Sequence, residues 1–193
     1  MTDVNKLLDH LFGGKKSPIS HKENFSQTDE EIEQVKKWMA SPEGRMAFEV
    51  IAKAYRLQKT GLQDHPEILL LTSPYANGFA IVFEPSLTEK TFSDLFFAFG
   101  LRMLDLGYYR VGMDRTIREE ADWVRTIEKQ YFKPSVPVVH SQKTEQIFGN
   151  VSIEKELVNN EPRFLKVLVT VYSDQQYLDA RPFDQFIAAL FNH

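Results

Sequence analysis

The segment Leu87 to Leu106 constrains the fold more than any other. At about 100° per residue, Phe92, Leu95, Phe96, Phe99, Met103 and Leu106 fall on one helical stripe. Phe97, Leu101 and Leu104 form a second apolar group on nearly the opposite side, beside Asp94 and Asp105. Ser86 and Glu89 read as a capping box that opens this helix, and Gly107 closes it. A helix apolar on two sides must be buried on two sides. The second side is therefore covered by the chain's own N-terminal helices, or it meets a partner, or its phenylalanines line a pocket.

The flanking patterns supply layers for such a helix. Thr28 and Glu31 form a capping box, so a helix runs from Asp29 to about Ala40 with Ile32, Val35 and Met39 inward. Ser41-Pro42 restarts the chain as N-cap and first helical residue. The next helix reaches about Lys59, with Met46, Ala47, Val50, Ile51, Ala54 and Tyr55 on one face and Gly61 at its end.

The period then changes. Glu67–Thr72 and Gly78–Phe83 are short apolar runs around a turn that ends Asn77-Gly78, a hairpin placed near the sheet centre. Tyr108–Arg118 alternates, with Tyr109, Val111, Met113 and Ile117 on one side and Arg110, Gly112, Asp114, Thr116 and Arg118 on the other. Residues 119–133 fit either a helix or the second arm of a hairpin. The alternation that runs up to the turn favours the hairpin. Lys133–Gln146 reads as a loop, Ile147–Leu157 and Arg163–Ser173 as strands, and Arg181-Pro182 as the start of a last helix. Phe183, Phe186, Ile187, Leu190 and Phe191 form its inward stripe.

Strands joined by short turns, with helices between them, predict an α+β fold: an antiparallel sheet of about five to six strands packed by helices. The N-terminal section is helical. Val4, Leu7, Leu8, Leu11 and Phe12 give residues 3–12 one apolar face, Gly13-Gly14 stops that helix, and residues 15–27 read as a linker. The division is an amphipathic helix and flexible linker over 1–27, then a single α+β domain over 28–193. Within the domain, helices span 29–59 and sheet and helices span 67–193.

Several function classes are disfavoured. The formal charge of −4 speaks against a nucleic-acid binder, and the aromatics are not interleaved with basic residues. Cysteine is absent, and none of the five histidines has a ligand-like neighbour two or four residues on, so no metal site is expected. No phosphate-binding glycine loop or Gly-x-Ser-x-Gly elbow occurs, and no cofactor is implied. The longest apolar run, Leu95–Leu101, is far short of the about 20 residues of a membrane span. The start Met1-Thr2-Asp3 has no leader pattern, so a cytoplasmic location without membrane contact is expected.

Two functions remain. The first is a non-catalytic binding or assembly module, its partner itself or another protein. Its interface would be Phe97, Leu101 and Leu104, joined by the tethered Leu8, Leu11 and Phe12. The second is a binding protein or enzyme for a small anionic ligand, with a pocket between sheet and helix. Arg115 falls on the apolar phase of its strand; either a bulge turns it outward, or it points inward and needs a carboxylate, from Asp94, Asp105 or Glu84, or an anionic ligand. Tyr109 and Trp123 would be the walls.

Overall fold

A computed structural model describes residues 19–60, 68–73, 78–83, 87–136, 146–173 and 179–191. The two-sided helix is α3, Glu89–Asp105, and both its sides are covered within the chain. One side lies on strands β4 (Tyr108–Glu120), β6 (Ile147–Val158) and β7 (Glu161–Tyr172). The remaining helices surround the other: α1 (Asp29–Ala40), α2 (Pro42–Thr60) and α4 (Ala180–Phe191). Leu101, assigned above to an interface, is 7% exposed, and Phe97 is half-buried against the core. Leu104 alone of that trio remains open, at 42%. Leu8, Leu11 and Phe12 lie outside the described residues.

The helix caps show why the chain turns where it does. The Thr28 hydroxyl accepts from the Glu31 N–H at 3.2 Å, and the Thr28 N–H donates to Glu31 Oε2 at 2.8 Å. This reciprocal pair satisfies two free donors at the start of α1. At the α1–α2 corner, the Ser41 hydroxyl donates to the Trp38 carbonyl at 2.6 Å and accepts from the Gly44 N–H at 3.1 Å. A Cβ on Gly44 would collide with the Trp38 carbonyl, so the tight corner needs glycine. The cap of α3 is Thr88, not Ser86: its hydroxyl accepts from the Thr91 N–H at 3.3 Å.

The sheet has seven strands in the order β1-β4-β5-β6-β7-β3-β2, and every pairing is antiparallel. The segment 119–133 is the arm of a hairpin, with β5 at Trp123–Pro134. Two expectations are corrected. Residues 19–24, read as linker, form edge strand β1 (Ile19–Asn24), paired with Asp114–Glu119. The hairpin β2 (Ile68–Ser73) and β3 (Gly78–Phe83) does not sit at the centre, because β2 is the opposite edge.

Only one face of the sheet feeds the core. Phe79, Ile81 and Phe83 of β3, Leu165, Val167 and Val169 of β7, and Val151 and Ile153 of β6 meet the helices there. Phe99 is the hub, fully buried with ring centroids 5.6 Å from Phe48, 5.7 Å from Phe191 and 6.3 Å from Phe83. No residue of the opposite sheet face belongs to this core cluster among the described residues. No described helix is long and apolar enough to cross a membrane.

Candidate binding groove

Arg115 does point to the helix side, as its strand phase requires, but two glutamates hold it. Glu23 of β1, Arg115 of β4, Glu128 of β5 and Lys155 of β6 occupy one rung of the sheet. Arg115 Nε lies 2.8 Å from Glu128 Oε1, and Nη1 lies 3.0 Å from Glu23 Oε1. Lys155 Nζ then closes on Glu128 Oε2 at 2.6 Å and donates to the Ser93 hydroxyl of α3 at 3.0 Å. The charges alternate across four strands and cancel. The expected carboxylates Asp94 and Asp105 pair instead on their own helix, with Lys90 and Arg102. Glu84 lies outside the described residues.

Tyr109 and Trp123 do not join Arg115 in a pocket. Trp123 pairs with Glu120, eleven residues of β4 beyond Tyr109. At about 3.3 Å per residue that is roughly 36 Å, too far for two walls of one site. Tyr109 also sits on the other side of the sheet, because a bulge between Arg110 and Gly112 breaks the alternation of β4. The bulge puts Arg110, expected on the wet side, over the Phe132 ring on the helix side, with Nη1 donating to Gln27 Oε1 at 2.8 Å. Burial pulls the pKa of that guanidinium down.

Among the described residues, a concave site lies on the open sheet face. It is a groove of about 310 Å³ lined by Val111, Tyr131, Lys133, Ser152, Leu168 and Thr170, with Phe132, Asn150 and Val151. Two irregularities make it. β4 and β6, the two neighbours of β5, are each bulged: β4 at 110–112 in its ladder with β5, and β6 between Phe148 and Val151 in its ladder with β7. Extra residues on both neighbours bend the sheet at that level and re-aim side chains. Val111 is turned out, half exposed at 51%, beside Tyr131 at 36%. A Cβ on Gly149 in the β6 bulge would meet the Tyr172 ring, so a larger residue there needs that exposed ring to shift.

Two polar side chains of the groove, Tyr131 and Thr170, are bonded to the protein. The Tyr131 hydroxyl donates to Asp114 Oδ2 at 2.8 Å, and Lys22 Nζ meets the same oxygen at 2.7 Å. The Thr170 hydroxyl donates to the Asn150 carbonyl at 3.0 Å, tying β7 to the bulge of β6. Beyond the groove, Glu154 is buried under Lys129 and Lys166, at 2.7 and 3.3 Å, and Glu156 under Arg125 at 2.7 Å. Long basic side chains thus roof the acidic ones.

Burial, with the Asp114 carboxylate next, pushes the Tyr131 phenol up to about 12. Its ordinary value is about 10. The folded state therefore holds the proton more tightly than the unfolded chain. The stabilisation is complete below about pH 10 and is lost as the pH rises toward 12. In a spectroscopic alkaline titration, one tyrosine should ionise near 12, and Tyr131→Phe should remove that component. A Tyr131 that ionises with the exposed tyrosines would contradict the Asp114 bond.

Strand phase found the inward Arg115 but not its partners, and it missed the groove. The one available signal was Val111-Gly112, an exposed apolar residue beside a glycine in a strand, which marks a bulge or a close approach. No family model, curated protein or solved structure matches the chain.

Proposed function

We propose that the protein is a non-catalytic binding module that takes a flat apolar small molecule in the groove of the open sheet face. The observation that carries this is the pair of bulges at the groove, one in β4 against β5 beside Val111 and one in β6 against β7 beside Thr170. Two irregular strands at one level build a concavity where a regular sheet would be smooth. Its volume stands at the lower end of the about 300–1,000 Å³ typical of ligand sites, which suits a single fused ring. Its nine lining residues include two ionisable groups, Tyr131 and Lys133. The Tyr131 proton is held by Asp114, and its raised pKa makes it a poor acid or base near neutrality. Those features favour binding over catalysis. Arg115, occupied by two carboxylates, offers nothing to an anionic ligand, and Lys133 is the cation of the groove.

Indole is a suitable first probe. In an NMR titration, its shifts should centre on Val111, Tyr131, Leu168 and Thr170. Leu168→Glu should weaken binding more than tenfold with unchanged circular dichroism, because the side chain faces the groove and not the core. Leu104→Ser, on the far side of the molecule, should leave binding unchanged. Shifts scattered over the surface, or indifferent to Leu168→Glu, would overturn the assignment.

A further inference from the structure

We infer that the groove selects flat ring ligands that carry a negative charge, an aryl carboxylate over the neutral or cationic ring of the same shape. The inference rests on the binding role proposed above and follows from what borders the groove. Tyr131, Ser152 and Leu168 stand opposite one another on β5, β6 and β7 and line it. Two residues along each of these strands, on the same face, stand Lys129, Glu154 and Lys166, with Asp114 of β4 opposite Lys129. Lys22 of β1 reaches Asp114 from the next strand. Two residues the other way along β5 is Lys133, itself a lining residue. At about 3.3 Å per residue, each of these charged levels is about 7 Å from the Tyr131 level.

The signs at this border do not cancel toward a ligand. In the first row, Lys22, Lys129 and Lys166 meet only Asp114 and Glu154. The two carboxylate side chains are each 8% exposed, whereas the lysines are 61%, 36% and 29% exposed. The acids thus lie underneath and the ammonium groups outside. Lys133 is exposed, and among the described residues no carboxylate pairs with it. No acidic side chain lines the groove. The apolar floor takes the ring and the lysine border takes the charge, so the anionic group needs no polar partner inside. The chain as a whole has a formal charge of −4, so this border opposes the sign of the molecule. These lysines are hydrated, and one such pair changes affinity by about two- to fivefold.

Three probes with one ring and arms of equal length test this on the unmodified protein: indole-3-propionate, indole-3-propionamide and tryptamine. At low salt and neutral pH the expected order of affinity is propionate, then propionamide, then tryptamine. The propionate should bind about two- to fivefold tighter than the amide, and about tenfold tighter than tryptamine. At about 1 M salt, where charges are screened within about 3 Å, the three should converge to within about twofold. Lys133→Met, which keeps the apolar stem, should lower the ratio of propionate to propionamide affinity. Equal binding of propionate and propionamide at low salt, or tryptamine as tight as propionate, would overturn the charge preference while leaving the groove a ligand site. Failure of all three and of indole to bind would overturn the binding role itself, and the preference with it. The order on the unmodified chain and its salt dependence decide the matter even if the methionine variant folds poorly.

Discussion

Glu128→Ala should destabilise the fold by about 3–5 kcal/mol in chemical denaturation. Glu128 is the shared carboxylate of the rung, taking Arg115 on one oxygen and Lys155 on the other. Lys155 is 4% exposed and lies 5.2 Å from the centre of the Phe96 ring. With the carboxylate gone, that ammonium keeps one neutral hydroxyl and two aromatic faces as company. A buried charge that loses its counter-ion costs far more than a surface pair is worth. Arg115 would suffer less, since Glu23 still holds it. The double variant Glu128→Leu with Lys155→Met should recover most of the loss, because apolar groups of similar volume can replace a buried pair at little cost. A loss below about 1 kcal/mol in the single variant would mean that the rung is solvated and contributes as surface pairs do.

Phe99→Ala is the second large effect, again about 3–5 kcal/mol. The ring is fully buried and is the common neighbour of Phe48 on α2, Phe83 on β3 and Phe191 on α4. Its removal leaves a cavity where three elements meet, and none can close it without leaving the other two. Leu104→Ala on the same helix, with 42% of its surface already in water, should cost within about 0.5 kcal/mol. Denaturation midpoints of the two variants measure the contrast. Similar losses would show that α3 is not clamped at Phe99.

The helices and the strand runs from 108 to 173 are legible because each has one dry side, and a dry side imposes a period. Strand β1 has none. Ser20 through Asn24 are all exposed, so no alternation marks them and they resemble a linker. Their order comes from the β4 ladder and from ion pairs to Asp114 and Arg115, which only the folded sheet supplies. The groove is harder still. Tyr131, Ser152, Leu168 and Val111 become neighbours through cross-strand register, and register is not written in any one strand. The β4 bulge then defeats the period itself. It divides Tyr109, Val111, Met113 and Ile117, one face in a regular strand, between the two sides of the sheet. Arg115 could be placed inward because it lies beyond that bulge, in phase with Met113. Its partners could not be named, because they stand on β1 and β5.

The strand order also sets a timetable. β4, β5, β6 and β7 are consecutive in the chain and adjacent in space, so β4 closes on β5 and β6 on β7 across two-residue turns, and β5 on β6 across residues 135–146. The outer strands come from the first half of the chain: β1 waits for residues 114–119, and β3 waits for residues 165–170. During synthesis, α1, α2 and the β2–β3 hairpin emerge before the strands they rest on exist. Ile81 and Phe83, which end fully buried, lack their ladder partners until β7 is made. Pairings between distant parts of a chain are slow to form, and waiting apolar strands are where chains associate wrongly. The arrangement that leaves one sheet face free for a ligand thus makes the nascent first half of the protein the part most dependent on prompt completion of the second.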